Sequence, residues 1–192
     1  MTINKKLLSV ETWLILILVG GSMILRLVPH VPNVAPIAAV ALLSGALLKR
    51  PWALLVPLIA MFASDLLLGF YEWPTMAAVY GSFALTVWLG TWLRERRRAL
   101  PIIGASLASS IIFYLATNLA VWRFSGYYPL TGDGLILSYY YAIPFFRYNL
   151  LGNLAYTGVL FVLAEWAPYS LKSLLALGKH ERLGRTVKSD LW

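Results

Sequence analysis

Eight polar side chains stand out in a chain otherwise rich in hydrocarbon: Arg26, His30, Asn33, Asp65, Asn118, Trp122, Asn149 and Asn153. Their types suit recognition better than reaction. Amides, an imidazole and an indole N–H are directional hydrogen-bonding groups, and Arg26 is the natural charge partner for Asp65. Asn149 and Asn153 are four residues apart, so on a helix they share one face. His30 and Asn33 fall in RLVPHVPNVAP, residues 26–36. There Pro29, Pro32 and Pro36 push the preceding residues away from helical angles. An extended stretch of that kind leaves backbone amides and carbonyls in need of partners.

Catalytic patterns are missing. The sequence has no Gly-x-Ser-x-Gly, no His-Glu-x-x-His, no phosphate loop, and no carboxylate pair at helical spacing within an apolar segment. With no cysteine, disulfides, thiolate metal sites and thiol nucleophiles are excluded. The expectation is a binding protein and not an enzyme, with no metal and no cofactor. Two other classes stay open: a non-transporting scaffold or assembly protein whose polar groups only join helices, and an enzyme acting at the outer leaflet.

The elements that position these residues follow from composition. Of 192 residues 60% are hydrophobic and 12% charged, about half the charge of an ordinary soluble domain, and the mean hydropathy is +0.73. The bilayer is the expected solvent, and the expected class is an all-α membrane protein. Apolar runs predict six transmembrane helices, over residues 8–28, 34–48, 51–70, 74–93, 100–121 and 148–166. The first is read as a retained helix, because no small-residue cleavage site follows it. The transmembrane domain is taken as 1–168 and the basic C-terminal segment as 169–192, the latter a helix suited to lying on the membrane surface.

Charge orients the chain. Thirteen of the sixteen Lys and Arg residues fall in connections on one side of a six-crossing arrangement, and only Arg26, Arg123 and Arg147 on the other. The positive-inside rule then puts both termini in the cytoplasm of a bacterial plasma membrane. The net charge of +8 is thereby topological; the RERRR run, 94–98, reads as a cytoplasmic anchor, and no nucleic-acid partner is expected. Asp65 falls fourteen residues into the third helix, roughly 21 Å up its axis, at the same outer level as the other seven side chains. Their coincidence at one depth predicts an outward-facing pocket for a small molecule. The aromatic segment LILSYYYAIPFF, 135–146, is too short to span and reads as an interfacial or re-entrant piece, either a lid over the pocket or an aromatic belt. Small residues at fourfold spacing (Ala41 and Gly45, Ala77 and Gly81, Gly104 and Ala108, Ser106 and Ser110) predict close helix packing.

RLVPHVPNVAPIAAVALLSGALL, SDLLLGF, TNLAVW and AIPFFRYNLLGNLAYTGVLF resemble a family of uncharacterised bacterial membrane proteins. That family in turn resembles the substrate-binding (S) components of energy-coupling factor vitamin transporters. The likeness runs from about residue 25 to 161. It departs at His30-Val31-Pro32-Asn33, where the family tends to show His-Pro-Pro-Asn. It departs again at Gly152-Asn153-Leu154, where Gly-Asp-Leu is usual, and this removes a carboxylate. The resemblance implies a six-helix S-component-like bundle that takes up a vitamin-like molecule. A separate membrane coupling subunit and cytoplasmic ATPases would supply the drive, since this sequence has no nucleotide-binding motif.

Overall fold

The computed structural model describes residues 2–28 and 34–189, with side chains over 12–28 and 34–166. All of its regular structure is helical: α1 (Thr2–Leu27), α2 (Ile37–Leu47), α3 (Trp52–Leu68), α4 (Trp73–Trp92), α5 (Ala99–Phe124) and α6 (Gly132–Ser189), with a short 3-10 turn, Leu93–Glu95, after α4. By compactness the chain divides into residues 1–158 and 159–192; the packing described below belongs to the first unit. Two helical stretches, Trp73–Glu95 and Ala99–Phe124, are long and apolar enough to cross a bilayer, while Thr12–Leu27, Ile37–Leu47 and Trp52–Leu68 are apolar but shorter.

At the centre stands α2, which has eleven residues and no charge. Ten of them, Ile37 to Ala46, are buried. Small side chains on all sides let α3 and α4 close around it. The tightest approach is to α4, where Gly45 and Gly90 face each other. A Cβ added to Gly45 would stand 2.3 Å from the carbonyl oxygen of Val87, and one added to Gly90 2.3 Å from that of Leu42. Only hydrogen fits at either position. The opposite end of the same pair is filled by larger groups. Ile37 and Ala38 of α2 pack with Ala60 and Met61 of α3 and with Val79 and Phe83 of α4.

A helix this short and this buried must have its terminal carbonyls satisfied by something other than water. Arginines do it. Arg94 donates through Nε to the Gly45 carbonyl at 2.9 Å and through Nη2 to that of Leu48 at 2.6 Å, and Arg97 reaches the Ala46 carbonyl at 3.1 Å. Guanidinium groups at a helix C-terminus also meet the negative end of its dipole. Two of the RERRR arginines are therefore caps of α2. On the other side, Ser44 Oγ donates to the Ala53 carbonyl at 2.8 Å and ties α2 to α3.

The sixth helix differs from expectation. It begins at Gly132, sixteen residues before the expected start at Tyr148, and takes in the whole 135–146 segment. That segment is the first part of a long helix and not a re-entrant piece or separate lid. Three consecutive tyrosines and Pro144 hid its continuity, but α5 supplies it with partners. Tyr114 donates its hydroxyl to the Tyr139 carbonyl at 2.8 Å, and Tyr139 returns the bond to the Leu115 carbonyl at 2.9 Å. Trp122 Nε1 donates to the Pro129 carbonyl at 3.0 Å and braces the α5–α6 connection.

The outward faces are coated with hydrocarbon: Trp13, Ile17, Leu67, Trp88, Leu100 and Leu151 are all more than half exposed. Scattered exposed apolar residues are ordinary; a coat of this extent marks a surface that meets lipid or another protein.

Gly45→Ala and Gly90→Ala should each lower stability by at least about 1–3 kcal/mol, because backbone must move. Gly81 and Gly104, with nothing within 4 Å of an added Cβ, should accept alanine and gain about 0.5–1 kcal/mol from the stiffer chain. Thermal unfolding of the four variants in one detergent checks the contrast.

Candidate functional site

The site starts from a charge. Asp65, one turn from the C-terminal end of α3, is 1% exposed. A carboxylate so buried needs a counter-charge, and Arg26 at the end of α1 provides it, with Nη1 2.7 Å from Asp65 Oδ1. The pairing is coulombic rather than an aligned hydrogen bond: Nη1 donates to Ser64 Oγ and to the Met61 carbonyl. The other carboxylate oxygen, Oδ2, accepts from the Tyr80 hydroxyl of α4 at 2.7 Å. One carboxylate thus joins α1, α3 and α4. Tyr71, in the α3–α4 connection, lies in the same field. Burial and then the Asp65 charge push its hydroxyl up to about 12, against a smaller opposing effect of Arg26. It is a neutral donor throughout the physiological range.

Arg26 and Tyr71 line a cavity of about 340 Å³, together with Ile37, Met61, Val79, Phe83, Phe113 and Asn149 among others. A second cavity of about 180 Å³ is lined by Phe113, Tyr114, Thr117 and Asn118 of α5 and by Ala142, Phe145, Phe146 and Asn149 of α6. Phe113 and Asn149 belong to both walls. The two spaces are neighbours, with one phenyl ring and one amide between them.

Three polar residues of α6 follow one another at fourfold spacing: Asn149, Asn153 and Thr157. The lower two are saturated. Asn153, 1% exposed, donates through Nδ2 to the Ser106 carbonyl, Ser109 Oγ and Ser110 Oγ at 2.8–3.0 Å. Its Oδ1 accepts from Thr157, which also reaches Ser106 Oγ. That cluster holds α5 to α6 and leaves Asn153 nothing to offer a ligand. Asn149, one turn higher, is the exception: its Oδ1 is buried and has no partner among the described residues.

The structure therefore brings Arg26, Asn118 and Asn149 to one pair of adjoining cavities and sets Asp65 behind Arg26 as its counter-ion. Trp122 braces a connection and Asn153 joins two helices; neither lines the cavities. His30 and Asn33 lie outside the described residues. Of the aromatic walls, Phe113 and Tyr114 are not among the residues singled out from sequence, and Phe145 and Phe146 enter there only as part of the 135–146 segment. The signal was there on α6, since 142, 145, 146 and 149 are the i, i+3, i+4, i+7 face of a helix. It becomes visible only once α6 is started at residue 132. Among the described residues, no group of three His, Cys, Asp or Glu side chains could hold a metal ion.

Residues 6–174 match the model of a family of unknown function, DUF6580, and the chain belongs to that family. No curated protein and no solved structure matches it.

Two outcomes follow from the ion pair. Arg26→Met leaves a buried carboxylate unpaired and should cost about 3–5 kcal/mol, whereas Arg26→Met with Asp65→Leu should recover much of that loss; thermal unfolding of the single and double variants checks this. Tyr71 keeps its proton in the folded protein between pH 10 and about 12, where an unfolded tyrosine loses it. Its contribution to stability is intact below pH 10 and disappears as the pH rises through 12. Phenolate absorbance compared between the wild type and Tyr71→Phe should show no ionisation of Tyr71 at pH 10 until the protein unfolds.

Proposed function

We propose that this protein captures a small molecule in the paired cavities, as the substrate-binding component of an uptake system resembling energy-coupling factor vitamin transporters. In this reading all six helices cross a bacterial plasma membrane with both termini in the cytoplasm. The shorter helix α2 counts as a crossing inside the bundle, where neighbouring helices rather than lipid surround it, and α3 as a crossing whose exposed apolar face meets lipid. A membrane coupling subunit and cytoplasmic ATPases supply the drive. The observation that carries the reading is Asn149. Its buried, unpartnered amide oxygen stands in the wall of two cavities that also present Arg26, Tyr71 and Asn118. Mostly apolar walls with a few convergent polar groups are the usual make-up of a small-molecule site.

A second reading draws on a separate observation. The saturated cluster of Asn153, Thr157 and three serines shows that part of the polar layer is helix adhesive, as a scaffold or assembly protein would have throughout. The two readings differ at Asn149 and Asn118, which adhesion alone does not employ.

Native mass spectrometry of protein released gently from its own membrane tests the choice. Capture predicts a bound organic molecule in the wild type, absent from an Ala142→Trp variant in which the smaller cavity is filled. Protein that arrives without bound mass, or an Ala142→Trp variant that carries the same molecule, sinks the capture reading. Topology has its own test, made clean by the absence of native cysteine. A Tyr127→Cys variant should react in intact cells with a membrane-impermeant maleimide. Lys49→Cys and Arg98→Cys should react only after permeabilisation.

A further inference from the structure

The two cavities also constrain what kind of molecule enters them, given that they take a ligand at all, which is the reading above. In the smaller cavity the walls are rings: Phe113, Tyr114, Phe145 and Phe146, with Tyr114 and Phe146 centroids 4.6 Å apart. Among the described residues, no charged side chain lines it. Aromatic walls favour a flat π-system that can stack or meet them edge to face.

The polar groups of this cavity are unequal. Most of its donors are already committed within the protein. The Tyr114 hydroxyl goes to the Tyr139 carbonyl, the Thr117 hydroxyl to the Phe113 carbonyl, and Asn118 Nδ2 to the Tyr114 carbonyl. What remains, beside the Asn118 Oδ1 acceptor, is the amide of Asn149, whose Oδ1 is buried and has no partner among the described residues and whose Nδ2 makes no hydrogen bond to them. An amide with neither end bonded to the described residues is complementary to a group that offers an N–H donor and an acceptor side by side. This is the geometry by which asparagine grips the edge of a heterocycle bidentately.

Charge narrows the class further. Among the described residues, the larger cavity is lined by one charged side chain, Arg26, and its charge is balanced by Asp65. The combined wall carries no net charge, and an ionised ligand would lose its hydration with no counter-charge to replace it. Arg26 can still serve as a donor, because Nη1 makes all of its protein contacts while Nε and Nη2 make none to the described residues.

We infer that the ligand is an uncharged, flat heteroaromatic or aryl-amide molecule. Its adjacent N–H donor and acceptor pair with Asn149, its ring lies among Phe113, Tyr114, Phe145 and Phe146, and a neutral acceptor on its remainder reaches Arg26.

Isothermal titration of the full-length protein in lipid nanodiscs tests this with three probes: 2-naphthamide, N,N-dimethyl-2-naphthamide, which lacks the N–H, and 2-naphthoate, which is an anion. The expected order is 2-naphthamide first, with the other two weaker by about tenfold or more, the loss of one buried hydrogen bond. Asn149→Leu, which removes the open amide at similar volume, should bring 2-naphthamide down to the level of the dimethyl probe while the variant melts no lower than the wild type. The inference is overturned if 2-naphthoate or the dimethyl amide binds as tightly as 2-naphthamide, if Asn149→Leu leaves the order unchanged, or if no probe binds. Each of those results leaves the capture reading standing wherever native mass spectrometry still finds a molecule that Ala142→Trp excludes. That measurement, not this titration, decides the broader reading.

Discussion

The contact between Gly45 and Gly90 sets the geometry on which the rest depends. With Cβ atoms excluded at both positions, the backbones of α2 and α4 meet directly. At the other end of the pair Ile37, Val79 and Phe83 pack into one buried cluster. Those three residues also line the larger cavity. The close crossing and the open space are thus two ends of one helix pair. In lipid, helices gain little from burying hydrocarbon against each other, so close backbone approach carries much of the association. A pair held firmly at one end can leave a hollow at the other without coming apart.

The arginine caps serve the same end of the bundle. Without Arg94 and Arg97, the C-terminal carbonyls of α2 would be buried beside apolar side chains, each at a cost of about 1–3 kcal/mol. Capping by a distant segment also ties the α4–α5 connection to the base of α2, so the glycine crossing and the caps support one another. The basic cluster is partly structural, and charge counting alone does not separate that role from an orienting one.

How far the sequence could be read follows the range of each interaction. Helix existence rests on runs of apolar residues, which are local, and four of the six helices lie within three residues of their expected bounds, α1 beginning six residues early. The Arg26–Asp65 pair was legible because a charge in an apolar run needs a partner and few were on offer. The early start of α6 was not legible. The helical state of 135–146 is supported by cross-helix bonds from Tyr114 and to Leu115, which no local pattern announces. That error concealed the aromatic face at 142, 145 and 146. The distinction between Asn149 and Asn153 was equally invisible. Both are asparagines on one helix face, and what separates them is a serine cluster some forty residues away that saturates one and stops short of the other.

The ion pair beside the cavity has its own logic. Buried pairs contribute little to stability on balance, since hydrophobic groups of similar size often serve as well or better. Adhesion between α1, α3 and α4 is therefore a weak reason for an arginine here. The arrangement does something a hydrophobic contact cannot: it places guanidinium donors on a cavity wall without giving that wall a net charge. Asp65 is almost wholly enclosed and does not line the cavity, while Arg26 does. The carboxylate holds Nη1 and balances its charge, and Nε and Nη2 make no bond to the described residues. In the capture reading a polar wall built this way would select by hydrogen-bond geometry rather than by charge, and the Asn149 amide would add to that selection.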